Sequence, residues 1–191
     1  MEPRPLIFLI GYRGSGTTTV GRALAARLGW EFLDADERIE TAAGMSIKDI
    51  FRTAGEPAFR DLESATLAQL VALTRTVVAT GGGAVLREQN RTLLRSGFVA
   101  WLTASPETLA ARIETDPTTA TRRPKLTAAG GVEEVRALLA VRTPLYAEVA
   151  DFVVDAEQLS PDAAADAILA AWNGGSTCRS SCGPGSPSSS G

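Results

Sequence analysis

The feature that most limits what this chain can become is a glycine-rich run held between two opposite patterns. "LIFLI", residues 6 to 10, is continuously apolar, as expected of a strand covered on both faces. "TTVGRALAARLG", from Thr18, has a helical pattern that Gly29 can end. Between them, Gly11 to Thr18 ("GYRGSGTT") fits the phosphate-loop pattern G-x-x-x-x-G-K-[ST] at every specified position except the lysine, where Thr17 stands. A buried strand, a glycine loop and a helix in that order call for an α/β domain with ligands at the carboxyl ends of its strands.

The rest of the chain continues the alternation. "EFLD" (31 to 34) reads as a strand, followed by a mixed helical stretch from about 37 to 73, punctuated by Gly44, Gly55 and Pro57. "TVVAT" (76 to 80) is a buried strand running straight into Gly81, Gly82 and Gly83. "GFVAWLT" (97 to 103) and "DFVVD" (151 to 155) complete five strands. Ser105 with Pro106, and Ser160 with Pro161, have the cap and first-turn residues of helix starts, the second helix ending near Trp172. There is no internal repeat. The pattern predicts a three-layer α/β/α sandwich around a five-stranded parallel sheet, a single domain over 1–173. Residues 174–191, rich in Gly, Ser and Pro and holding both Cys178 and Cys182, are expected to be disordered.

Composition removes several functions. Histidine is absent, so imidazole acid–base chemistry, histidine zinc sites and a Ser-His-Asp triad are excluded. A net charge of −3 gives no global attraction to nucleic acid or an acidic membrane. No apolar run approaches the roughly 18 residues of a membrane span, and the opening one is too short for a signal peptide, so a cytoplasmic protein is expected. Cations are nearly all arginine, with Lys48 and Lys125 the only lysines. Any anion site must therefore be local.

Several motifs carry chemistry. In the loop, Gly14 and Gly16 allow close backbone approach to phosphate oxygens, and the Thr18 hydroxyl can reach a metal. A ligand-free glycine turn has a similar composition but not the flanking strand and helix. Thr17 lacks the reach and charge of a lysine at the β- and γ-phosphates. The loss is worth roughly 3 kcal/mol or more in the transition state, about a hundredfold to a thousandfold in rate. Asp34 and Asp36 stand two apart at the end of the second strand, on one face if the strand persists; they suit a metal-water ligand and a hydroxyl acceptor, or are solvated turn or cap acids. Arg60 and Glu63 can pair at i,i+3 on a helix opened by Pro57.

In "VEEVRALLAVRTPLYAEV", Arg142 falls on the apolar face with Val135, Leu138, Leu139, Leu145 and Val149. It requires either an acid such as Glu63 or an anionic ligand, and Thr143 with Pro144 suggests a break in the helix. Gly81 to Gly83 offer backbone N–H groups at the same sheet edge, or a plain turn. "TDPTTATRRPKLT" (115 to 127) reads as a mobile lid carrying Arg122 and Arg123, or as a solvated loop.

Taken in order, "GYRGSGTTTVG", "FLDADERIE", "GEPAFRDLE", "VVATGGGAV", "RRPKL" and "VRTPLY" resemble the shikimate kinase family, a P-loop group, over about residues 5 to 172. The resemblance implies transfer of the ATP γ-phosphoryl group, with Mg²⁺, to the 3-hydroxyl of shikimate in aromatic amino-acid biosynthesis. It puts nucleotide contacts at Gly14, Ser15, Gly16, Thr17, Thr18 and Thr19, with Arg112 stacking on adenine and Arg123 closing from the lid. Thr18 and Asp34 would lie near the metal. Asp36, Arg60, Gly81, Gly82, Gly83 and Arg142 would hold shikimate. Asp36, Arg123 and the Thr17 position would carry catalysis. The expected ligands are shikimate and ATP, with no nucleic acid or membrane partner and a monomeric chain. The departures from the family pattern are Thr17 and Lys125. A non-catalytic binding protein of this fold, or a kinase of another hydroxy acid such as gluconate, shares much of the pattern.

Overall fold

The computed structural model describes residues 4–116 and 131–174. Five strands, β1 (Leu6–Gly11), β2 (Glu31–Asp34), β3 (Thr76–Ala79), β4 (Phe98–Thr103) and β5 (Phe152–Asp155), form one sheet in the order β2-β3-β1-β4-β5. Every pairing is parallel. The central strand β1 is buried along its whole length, whereas the edge strands β2 and β5 carry the exposed Glu31, Val153 and Asp155. This is why the middle of the sheet is written in aliphatic residues and its edges are mixed.

Seven described helices surround the sheet: α1 (Thr17–Leu28), α2 (Ala35–Ala43), α3 (Ile47–Leu70), α4 (Glu88–Leu94), α5 (Pro106–Thr115), α6 (Gly131–Val149) and α7 (Pro161–Gly174). Successive β1 side chains point to opposite faces. Ile7 and Leu9 join Leu24, Ala165 and Ile168 of α1 and α7, while Phe8 and Ile10 join Leu67, Leu94 and Tyr146 of α3, α4 and α6. The outcome is the expected α/β/α sandwich. The chain leaves β1 toward β2 and β4 toward β5, so the strand order reverses beside β1, where open parallel sheets place their ligands.

The structure decides four points of the sequence reading, and at one of them, the helix start at Pro57, it agrees with that reading. The second strand ends at Asp34, and Asp36 lies in the first turn of α2, so the two acids do not share a strand face. At Gly55 (φ 79°, ψ 174°) α3 loses helical geometry, so Pro57 stands in the first turn of a new helical half, as expected of it. The anticipated break at Pro144 is missing and α6 runs through it: Pro144 and Ala140 are on the exposed face, where water can satisfy the carbonyl that proline leaves without its N–H. The final helix reaches Gly174 rather than stopping near Trp172. Arg122, Arg123, Lys125 and nearly all of the expected lid lie outside the described residues, as do residues 175–191 with Cys178 and Cys182. Among the described residues, no helix is long and apolar enough to cross a membrane.

Candidate active site

Beyond the carboxyl ends of the strands lies a cleft of about 330 Å³, lined by Gly11 to Gly14, Gly16 to Thr19, Asp34, Asp36, Thr80 to Gly82, Arg112 and Asp116. Its floor is the glycine loop. Gly16 caps α1 with φ 91° and provides no side-chain cap, which leaves first-turn N–H groups of α1 for an anion at the helix's positive end. Any other residue at that φ would be strained. Ser15 differs from its neighbours: it is buried, it does not line the cleft, and its N–H donates to the Tyr12 carbonyl at 3.0 Å. Thr17, Thr18 and Thr19 do line it.

A second set of contacts ties the loop to β2. Thr18 Oγ1 donates to Asp34 Oδ2 at 2.9 Å, and the other Asp34 oxygen accepts the Asp36 N–H at 3.0 Å, capping α2. One carboxylate therefore serves both the helix start and the loop hydroxyl, and Asp36 is carried into the cleft by the helix that Asp34 caps. From α5, Arg112 donates to the Ala156 carbonyl at 2.9 Å and to the Gly14 carbonyl at 3.4 Å, bracing the loop at its far end.

The two arginines expected at an acceptor site stand behind this lining and meet it through the glycine turn. Arg60, 8% exposed, is clamped by Glu63 (3.0 Å) and Glu56 (2.9 Å). Burial opposes its charge, but attraction to Glu63 and its hydrogen bonds to Glu63 and Glu56 more than offset that, so its pKa lies above the ordinary arginine value. At Gly83 an added Cβ would meet the Arg60 guanidinium, so a larger residue would have to displace an arginine end held by Glu63 and Glu56. Gly82 is pressed against the loop, where a Cβ would come 3.1 Å from the Gly11 carbonyl oxygen.

Arg142 is 6% exposed on α6. Its Nη1 donates to the Gly82 carbonyl at 3.2 Å, and its guanidinium lies 5.4 Å from the centre of the Tyr12 ring. The sequence left open an ion pair between Arg142 and an acid such as Glu63. Glu63 instead takes Arg60, and no carboxylate among the described residues pairs with Arg142. Glu56, Tyr12 and Tyr146 belong to this assembly and were not singled out in the sequence. The available signal for Tyr146 was its position four residues beyond Arg142 on the same helix face.

One edge of the sheet thus combines an anion-binding loop, two carboxylates and two buried guanidiniums. Such an arrangement can hold a phosphorylated donor beside a small carboxylate-bearing acceptor. Comparison with known proteins agrees. The family model described as Shikimate kinase matches residues 13–173. A shikimate kinase of Oleidesulfovibrio alaskensis is 49% identical over 153 residues, covering 80% of this chain and 88% of that protein. Shikimate kinase 2 of Dickeya chrysanthemi is 48% identical over 153 residues, covering 80% and 87%. Among solved structures, shikimate kinase from Acinetobacter baumannii in complex with shikimate superposes with a TM-score of 0.84 at 38% identity, covering 90% of this chain and 94% of that one.

Proposed function

We propose, because this chain belongs to the shikimate kinase family, a division of labour at its site in which acceptor recognition is complete and the donor side lacks one charge. The activity is that of an ATP-dependent phosphotransferase with shikimate as acceptor. The observation that carries the acceptor assignment is Arg142, buried and without a carboxylate partner among the described residues. The Gly82 carbonyl and the Tyr12 ring compensate this charge only in part, and a bound carboxylate would complete its pairing. Arg60, aimed by Glu56 and Glu63, serves the same ligand, with the turn at Gly81, Gly82 and Gly83 as its floor.

In the reaction, the acceptor hydroxyl oxygen forms a bond to the γ-phosphorus, the bond from that phosphorus to the β-bridging oxygen breaks, and ADP leaves. Asp36 takes the hydroxyl proton. Such transfer depends mainly on positioning and charge neutralisation. The nucleotide would lie along Gly14 to Thr19, with Ser15 held inside the loop and Arg112 beside the base. Thr18 and Asp34, already joined at 2.9 Å, form the hard-oxygen pair that fits a magnesium ion. That ion would neutralise phosphate charge when bound. Arg123 is assigned the closing contact from the lid. A monomeric, cytoplasmic chain completes this reading.

Thr17 is the weak point. It stands where the loop pattern calls for lysine, and no neighbouring side chain takes over that role in this proposal. Turnover is expected to be about a hundredfold to a thousandfold below that of Thr17→Lys. The test is shikimate-dependent ADP production from Mg-ATP on both chains. A large gain in the Lys variant supports the reading, and turnover within about threefold between them overturns the role given to Thr17. If neither chain turns over although both bind shikimate, the protein is a binding protein of this fold.

A further inference from the structure

In the glycine turn, the carbonyls of Gly81 and Gly83 accept from the N–H groups of Ala84 (3.1 Å) and Leu86 (3.0 Å), while that of Gly82 is turned toward another element. Gly81, Gly82 and Gly83 bring no side chains to restrict rotation about their peptides, yet the turn must present a fixed surface to a ligand. What holds the Gly82 carbonyl lies on α6. The Tyr146 hydroxyl donates to the Gly82 carbonyl at 2.5 Å, and Arg142 Nη1 donates to the same oxygen. Residues 142 and 146 are one helical turn apart, so a single face of α6 reaches one carbonyl twice and can occupy both of its lone pairs.

The tyrosine itself is immobilised. It is 1% exposed, and its ring stacks on Trp101 of β4 with centroids 5.5 Å apart and planes 29° from parallel. A phenylalanine would satisfy that stacking. The hydroxyl is what needs a polar partner, and it takes the one carbonyl that also orients Arg142. Where a Cβ would stand, Gly82 faces the backbone of Gly11, Tyr12 and Arg13 in the loop. Gly83, next in the chain, is backed by Arg60.

We propose that Tyr146 is a positioning residue for acceptor binding: its hydroxyl fixes the Gly82 peptide and, through that shared carbonyl, the direction in which Arg142 faces the acceptor carboxylate. The proposal rests on Arg142 being the carboxylate partner. Without the hydroxyl, Arg142 keeps its place over the Tyr12 ring and one 3.2 Å hydrogen bond to a carbonyl that has lost its second donor.

The test is calorimetric titration of shikimate, and separately of Mg-ADP, into the chain as it stands, Tyr146→Phe, Arg142→Lys and the double variant. Tyr146→Phe is expected to weaken shikimate binding about tenfold and Mg-ADP binding by less than about twofold. In the Arg142→Lys background, where the planar fork is already lost, the same change is expected to cost less than about twofold. A purely structural role would weaken both ligands alike and would cost the same in either background. That pattern, or unchanged shikimate binding in Tyr146→Phe, overturns the proposal. If the starting chain fails to bind shikimate, the acceptor assignment itself has failed, and the role of Tyr146 falls with it.

Discussion

The proposed donor side, at the glycine loop, and the proposed acceptor side, at the arginines behind the cleft lining, are built from different materials. The loop side is mostly backbone: Gly16 at a left-handed φ, the first-turn N–H groups of α1, and few side chains needed to shape it. The acceptor side is mostly side chain, with Arg60 gripped by two glutamates and Arg142 lodged on Gly82 between Tyr12 and Tyr146. A backbone site tolerates a changed side chain without losing its shape, so the proposal lets Thr17 stand in an intact loop and still remove charge from the reaction. A site made of interlocked side chains has no such tolerance, since each group is another's support.

The contrast is sharpest at Thr17→Lys, which is expected to raise turnover by about two to three orders of magnitude while shikimate affinity, measured by calorimetry, moves by less than about twofold. A parallel change in shikimate affinity would mean that the two sides are not separable. Next in size is Arg142→Ala. Removing one partner of a desolvated charge pair is expected to weaken shikimate binding about a hundredfold, with Mg-ADP affinity within about threefold. Equal losses for the two ligands in that titration would break the division.

Gly83→Ala tests the interlocking directly. Its new Cβ falls on the Arg60 guanidinium, so the arginine must leave Glu63 or the turn must shift. The expected result is about a tenfold loss in shikimate affinity with the loop's nucleotide affinity retained, read from the same pair of titrations. The smallest effect belongs to Glu157, near the donor edge. The N–H of Ser105 and then the hydroxyl of Thr108 hold its pKa below the ordinary glutamate value. A carboxyl with a depressed folded pKa stabilises the fold above the ordinary carboxyl range and loses that contribution as pH falls through its folded value. Glu157→Gln is therefore expected to lower Tm slightly at neutral pH, a difference that shrinks as the pH of the thermal melt falls below the ordinary carboxyl range.

Much of this site is legible in the sequence. The uniform apolar run of β1, the glycine spacing and the helical pattern after it identify the loop by local physics alone. The Arg60–Glu63 pair follows from i,i+3 spacing and appears at 3.0 Å. The burial of Arg142 follows from periodicity. Less is legible where two distant segments meet. The split role of the Asp34 carboxylate depends on where β2 gives way to α2, a boundary set by one cap hydrogen bond. The continuity of α6 through Pro144 depends on that residue facing water. The crowding at position 83 comes from a guanidinium on another helix.

The sequence by itself determined the fold class, the anion loop with Thr17 in place of its cation, and the faces on which Arg60 and Arg142 would lie, because each is written in spacings of a few residues along one element. Only the tertiary structure decided which partners those residues take. Arg142 and Gly82 are 60 positions apart in the chain, and Tyr146 and Gly82 are 64 apart. Periodicity tells a side chain which way to point, but only the packing of α6 across the sheet brings that carbonyl within reach.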